Sequence, residues 1–127
     1  MAGSSAGYHE NPDDLKAETL DRHRAIASIM EELEAIDWYD QRVDATRDGE
    51  LAAILAHNRD EEKEHAAMVL EWLRRRDPKL DEHLRNYLFI EQSVLEKEHA
   101  MEHPEQATAA SDGDGSLGIG SLREPRA

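Results

Sequence analysis

The sequence predicts an all-α fold, a long antiparallel helical hairpin followed by a short third helix, and three observations lead there. Apolar residues recur mostly three or four apart over two long stretches, the spacing that lines up one stripe of a helix. The two stretches meet at Arg47-Asp48-Gly49, a polar turn that makes the helices antiparallel neighbours. The composition is also lean. A chain of 127 residues with 39% hydrophobic and only 5% aromatic content has little material for a private core, so its narrow stripes are expected to bury themselves against a second copy.

Each element follows from local signals. Asn11-Pro12-Asp13-Asp14 reads as a helix start, with an N-cap, proline at the first helical position and acids at the positive end of the dipole. The first helix is predicted from about Pro12 to about Asp44, on Leu15, Ile26, Ile29, Met30, Leu33 and Ile36. After the turn, Leu51, Ile54, Leu55, Met68, Val69, Leu70 and Leu73 mark the second, closed by Arg74-Arg75-Arg76, whose charges suit a helix C-terminus. Asp77-Pro78 opens the third, about Pro78 to Glu98, through Leu80, Leu84, Tyr87, Leu88, Ile90 and Val94. From His99 the composition shifts to Ala, Thr, Ser, Asp and Gly. The layout is thus a flexible N-terminus over 1–11, a helical domain over 12–98, a disordered linker over 99–115 and a C-terminal tail over 116–127. No internal repeat supplies both halves of a bundle from one chain.

Charge and missing residue types narrow the function. With 29 acidic and 15 basic residues the formal charge is −14, which disfavours nucleic acid and anionic membranes as partners and favours cations. There are no cysteines, so disulfides, thiolate metal sites and cysteine nucleophiles are excluded together, and the chain fits the cytoplasm. Any metal must be held by oxygen and imidazole. Met1 to Glu10 has neither a basic start nor an apolar stretch, and no later run approaches the ~18 apolar residues of a membrane span, so neither secretion nor insertion is expected.

The residues that carry chemistry are Glu32, Glu62 and His65. Glu62 and His65 lie three apart, so they project from neighbouring turns of one helix face and can reach a single ion. Such a pair also arises by chance on a solvated acidic helix. Position is what distinguishes it: Glu32 lies fifteen residues before Arg47 and Glu62 fifteen after. In a hairpin turning there, both stand ~22 Å from the turn at ~1.5 Å per residue, on one level. Spacing leaves the rotation of each helix open. Apolar Ile29, Met30, Leu33 and Ile36 bracket Glu32, and Ala66, Met68 and Val69 flank His65, which favours an inward orientation.

Three ligands under-coordinate an iron ion. The bundle recipe for two metals is one Glu from each of two helices plus Glu-x-x-His from each of the other two, and this chain holds half of it. Two chains about a two-fold axis complete the set, so dimerisation and metal binding become one event. Carboxylates and imidazole suit a hard or borderline divalent metal and favour the ferric over the ferrous state; zinc and manganese fit the same donors.

Two segments carry a family resemblance: Glu31-Glu32-Leu33-Glu34-Ala35-Ile36-Asp37-Trp38-Tyr39-Asp40-Gln41-Arg42, and Ile54-Leu55-Ala56-His57-Asn58-Arg59-Asp60-Glu61-Glu62-Lys63-Glu64-His65-Ala66. The sequence closely resembles the encapsulated ferritins from about Leu15 to Phe89. That resemblance implies a ferritin-like four-helix di-iron bundle made by an obligate homodimer, two iron ions per dimer, and a ring of five dimers. It implies Glu32, Glu62 and His65 as ferroxidase ligands. A second site where metal ions approach would use Glu31 and Glu34, open to other divalent cations, with Trp38 beside it and Tyr39 supporting the ligands by a hydrogen bond. Two acids three apart are also an ordinary solvated face, and aromatics also serve plain interface packing.

The tail Gly115-Ser116-Leu117-Gly118-Ile119-Gly120-Ser121-Leu122-Arg123 restores three aliphatics after a polar linker. It resembles the signal by which cargo docks inside encapsulin shells, with Leu117, Ile119 and Leu122 filling the groove and glycines letting the backbone lie close. The expected function is ferroxidase activity, oxidising ferrous to ferric iron for mineralisation inside an encapsulin nanocompartment. The alternatives are another di-iron oxidoreductase such as a peroxide reductase, or a non-enzymatic helical assembly or adaptor. His9, His23, His57, His83, His99 and His103 have no partner at ligand spacing and read as surface or tail residues.

Overall fold

The computed structural model describes residues 7–104 and is all helical over them. Four α-helices follow a 3-10 turn at Pro12–Asp14: α1 (Ala17–Ala45), α2 (Gly49–Arg76), α3 (Pro78–Tyr87) and α4 (Val94–Glu102). The targeting residues Leu117, Ile119 and Leu122 lie outside the described residues. None of the described helices is long and apolar enough to cross a membrane. The chain divides into two compact units, Met1–Pro78 and Lys79–Ala127.

The first unit is the hairpin. Its start differs from the sequence expectation: Asn11 caps only a single 3-10 turn, its side chain accepting from the Asp13 N–H at 3.0 Å. Leu15 and Lys16 are then extended, and α1 starts afresh at Ala17 with no side-chain cap. The segment before that turn returns along α1, where Tyr8 packs on His23 with ring centroids 4.5 Å apart.

Between the helices, Asp48 is the N-cap of α2, accepting from the Leu51 N–H at 2.9 Å. Gly49 is therefore the first helical residue rather than the pivot of the turn. No described glycine has a positive φ, and a Cβ at Gly49 would meet nothing within 4 Å. Gly49→Ala is accordingly expected to stabilise the fold by about 0.4–1 kcal/mol, by restricting the unfolded chain. Thermal unfolding followed by circular dichroism would show a Tm higher by a few degrees; a lower one would mean the turn needs glycine after all.

The seam of the hairpin follows a heptad rhythm. Ala25, Ile29, Glu32, Ile36, Tyr39 and Val43 on α1 are all partly buried, as are Ala52, Leu55, Arg59, Glu62, Ala66 and Val69 on α2. Such 3-4 spacing is what two helices packed at a shallow angle require. Arg59 reaches across the seam to Asp40 at 3.0 Å. Yet Leu73, at 6% exposure, is the one hydrophobic side chain among the described residues that is fully buried. Large apolar groups remain outside: Ile26, Leu33, Trp38, Ile54 and Met68 are each roughly half exposed. Two helices have only one seam to offer, so their other apolar stripes go uncovered among the described residues.

The last turn of α2 is held by charge. Glu71 accepts two hydrogen bonds from Arg74 and one from Arg75, all at 2.7 Å, and these hold its carboxyl down at about 2. The three arginines also face the negative end of the dipole.

In the second unit, the helix expected to run to Glu98 is two helices. α3 stops at Tyr87; Leu88 donates back to the Leu84 carbonyl at 2.9 Å, and Phe89 takes a φ of 62°, a left-handed conformation unusual for a bulky residue. Ser93 then starts α4 with a complete capping box, in which its hydroxyl accepts from the Leu95 and Glu96 N–H groups and Glu96 accepts from the Ser93 N–H. That helix continues past His99, where the sequence reading placed a linker.

Candidate metal centre

Glu32 comes from the middle of α1, and Glu62 and His65 from the middle of α2, at the level where the seam would otherwise hold apolar residues. One ligand atom from each of the three lies within 4.8 Å of the others. His65 Nδ1 is 3.7 Å from Glu32 Oε2 and 3.7 Å from Glu62 Oε2. These are too long for hydrogen bonds, and they leave a gap of about the size at which an ion takes the place of direct contact.

Burial makes this arrangement costly without a cation. Glu32 and Glu62 are each only 24% exposed, and Glu32 Oε2 is a buried oxygen with no hydrogen-bond partner. An orphaned acceptor of this kind loses its hydration for nothing in return. Two carboxylates and an imidazole are a donor set that a divalent transition metal satisfies, so the residues fit such an ion. His65 is more open, at 43% exposure. The centre is therefore closed toward the seam and open on the side to which His65 points.

That open side carries exposed apolar residues among charged ones. At 3.6 residues per turn Ile54, His65, Met68 and Trp72 share one face of α2. Ile54 is 52% and Met68 58% exposed, and Met68 and Trp72 line an open groove with Glu64, Ala67, Glu71, Arg75 and Arg76. Arg76 lies 4.0 Å over the Trp72 ring, covering its outer surface.

Residues 7–91, two thirds of the sequence, match the protein family described as EncFtn-like. The chain belongs to the EncFtn-like family. A Rhodospirillum rubrum relative named "Encapsulated ferritin-like protein" is 62% identical over 97% of this EncFtn-like chain and 92% of its own length. A "Ferritin-like protein" of Thermotoga maritima is 47% identical over 91% of this chain and 96% of its own. Among solved structures, a Nitrosomonas europaea protein superimposes with a TM-score of 0.68 at 61% identity, covering 69% of this chain and 97% of its own.

The other site residues expected from the resemblance sit apart from this cluster. Glu31 is exposed and Glu34 partly buried on α1, and neither joins a group of three ligands among the described residues. Trp38 is 48% exposed. Tyr39 lies in the seam, but it and Trp38 both face the Arg42 guanidinium, 5.5 Å and 5.9 Å from the ring centroids. Among the described residues no hydrogen bond joins Tyr39 to Glu32 or Glu62. Sequence reasoning also passed over one constellation, His99 with His103. His99 lies in the last turn of α4 and His103 is its C-cap, with ring centroids 4.4 Å apart, and the signal for that helix was the Ser93-x-x-Glu96 capping box.

Proposed function

We propose that this EncFtn-like chain is a ferroxidase, with ferrous iron as substrate at a di-iron site shared between two chains. The observation that carries the reading is the half-centre: Glu32, Glu62 and His65 gathered within 4.8 Å, a Glu32 oxygen buried without a partner, and exposed Ile54 and Met68 on the same helix face as His65. A two-fold axis through that opening supplies a second copy of each ligand, the full set of the two-metal bundle recipe. It also covers Ile54 and Met68.

The roles follow from the groups. The carboxylates of Glu32 and Glu62 bring negative charge that draws two ferrous ions together and favours the ferric product, while His65 contributes a neutral nitrogen. Each iron gives up one electron, and dioxygen, taking both with two protons, leaves as hydrogen peroxide. Glu31 and Glu34 serve iron on its approach, and Trp38 and Tyr39 shape the interface beside it. The exposed Ile26 and Leu33, a heptad apart on α1, leave a further stripe for contacts between dimers in a ring. Mixing ferrous iron anaerobically with the protein, admitting air and following ferric absorbance tests the reading. Oxidation faster than in protein-free buffer is expected; equal rates would overturn it.

The same reading places the protein inside an encapsulin shell, in keeping with the name of the Rhodospirillum rubrum relative. The tail anchors Leu117, Ile119 and Leu122 are the docking residues. Deleting residues 116–123 is expected to abolish co-purification with a co-expressed shell while leaving iron oxidation unchanged. Retained loading would remove the tail from this role, and lost oxidation would make it part of the fold.

A further inference from the structure

An arginine stands one turn from the metal centre and is turned away from it. Arg59 is a seam residue of α2, three before Glu62, so the two project from neighbouring turns of one face, about 4.5 Å apart along the axis. Side chains of a helix lean toward its N-terminus, which inclines Glu62 toward the turn that carries Arg59. Glu62 is only 24% exposed, and across the seam Glu32 Oε2 is buried with no hydrogen-bond partner. A guanidinium is made of donors that such carboxylates accept. Instead, Arg59 Nη1 donates to Asp40 Oδ1 on α1 at 3.0 Å, and its Nε donates to Asp60 Oδ1 at 3.1 Å. Arg59 is 23% exposed, whereas Asp40 and Asp60 are 54% and 61% exposed.

We infer that Asp40 and Asp60 are positioning residues for the metal centre, holding the Arg59 guanidinium away from Glu62 and so keeping its carboxylate open to a divalent cation. The inference rests on the reading of Glu32, Glu62 and His65 as metal ligands. Without this restraint the guanidinium and the incoming metal compete for the same oxygens, because a planar fork of donors one turn away matches a carboxylate well. The two acids also offset the charge of the guanidinium, so that it does not repel an arriving cation. Fixing the register of the hairpin would account for the Asp40 contact alone. Yet ion pairs this open to water hold a fold together only weakly, and Asp60, next to Arg59 on the same helix, fixes no register at all.

The test is calorimetric titration of the full-length, metal-free protein with zinc(II), which the same donors suit, with Glu32→Ala as the blank for ions bound elsewhere. Zinc affinity at the centre is expected to fall about 10-fold or more in Asp40→Ala/Asp60→Ala, the scale on which residues behind metal ligands act. Adding Arg59→Met to that pair is expected to restore it, and Arg59→Met alone should bind zinc at least as tightly as the wild type. Wild-type affinity in the double variant would overturn the inference. So would an affinity that stays low once Arg59 is replaced as well, since lost acidity, or Lys63 released from its contact with Asp60 at 3.5 Å, would then carry the effect. A wild-type chain that took up no more zinc than the Glu32→Ala blank would overturn the metal-ligand reading and this inference with it.

Discussion

Alanine in place of Glu32, Glu62 or His65 is expected to slow aerobic iron oxidation by about 100-fold or more, since loss of a residue that merely supports a metal ligand already costs roughly 10–100-fold. In a two-fold pair each substitution removes two donors, one from each chain. Glu62→Gln separates charge from shape: it preserves volume and helix but removes the anion that stabilises the ferric product, so its rate should fall nearly as far. The fold should not suffer. Glu32 Oε2 is buried without a partner, so the metal-free Glu32→Ala protein is expected to unfold at the same urea concentration as the metal-free wild type, or a higher one. Loss of activity together with unimpaired stability is the mark of a residue kept for binding rather than for packing. Wild-type rates in all three alanine variants would sink the assignment, and a large drop in urea midpoint would make Glu32 structural.

The level of Glu32 against Glu62 was legible because it depends on one quantity, the distance of each from a turn that Asp48 and Gly49 mark plainly. Their inward rotation was legible from what surrounds them: an acid at a seam position among Ile29, Ile36, Ala66 and Val69 has to be doing something other than solvating a surface. Rotation was harder to read where neighbours were mixed. Tyr39 was expected to support the carboxylates by a hydrogen bond; the contact seen among the described residues is that of its ring with Arg42, three residues on. The two helix ends that differ have different causes. The Asn11-Pro12 capping signal was real but opens only a 3-10 turn before the backbone turns extended at Leu15, whereas apolar spacing continues through Leu88 to Val94 and cannot register the left-handed backbone at Phe89. At Ser93 the contrary signal was present, since a capping serine with glutamate three residues later begins a helix whatever pattern precedes it. Treating residues beyond Glu98 as linker hid the His99–His103 spacing as well.

Lysine at Ile54 is expected to split the assembly and silence the site together. Ile54 is 52% exposed in the single chain, and it shares a face of α2 with His65 although eleven residues, or ~16 Å, separate them along the helix. A lysine there is too distant to touch the metal ligands directly. Covering the exposed half of an isoleucine is worth about 1 kcal/mol, counted twice across a two-fold axis, and burying an ammonium in its place costs several kcal/mol more per ion. Because the side chain is already half in water, the hairpin itself should keep its helical circular dichroism. The mass in solution should fall to that of one chain, about 14.4 kDa, and iron oxidation per chain should fall with it. On the proposed two-chain site, ferrous iron should partly restore both at high protein concentration, since ligands drawn from two chains would make metal binding and pairing a single equilibrium. A monomer that oxidised iron at the wild-type rate would show that three ligands suffice. A variant that kept the wild-type mass would move the interface to another face of the hairpin, where Ile26, Leu33, Trp38 and Leu51 are exposed apolar residues.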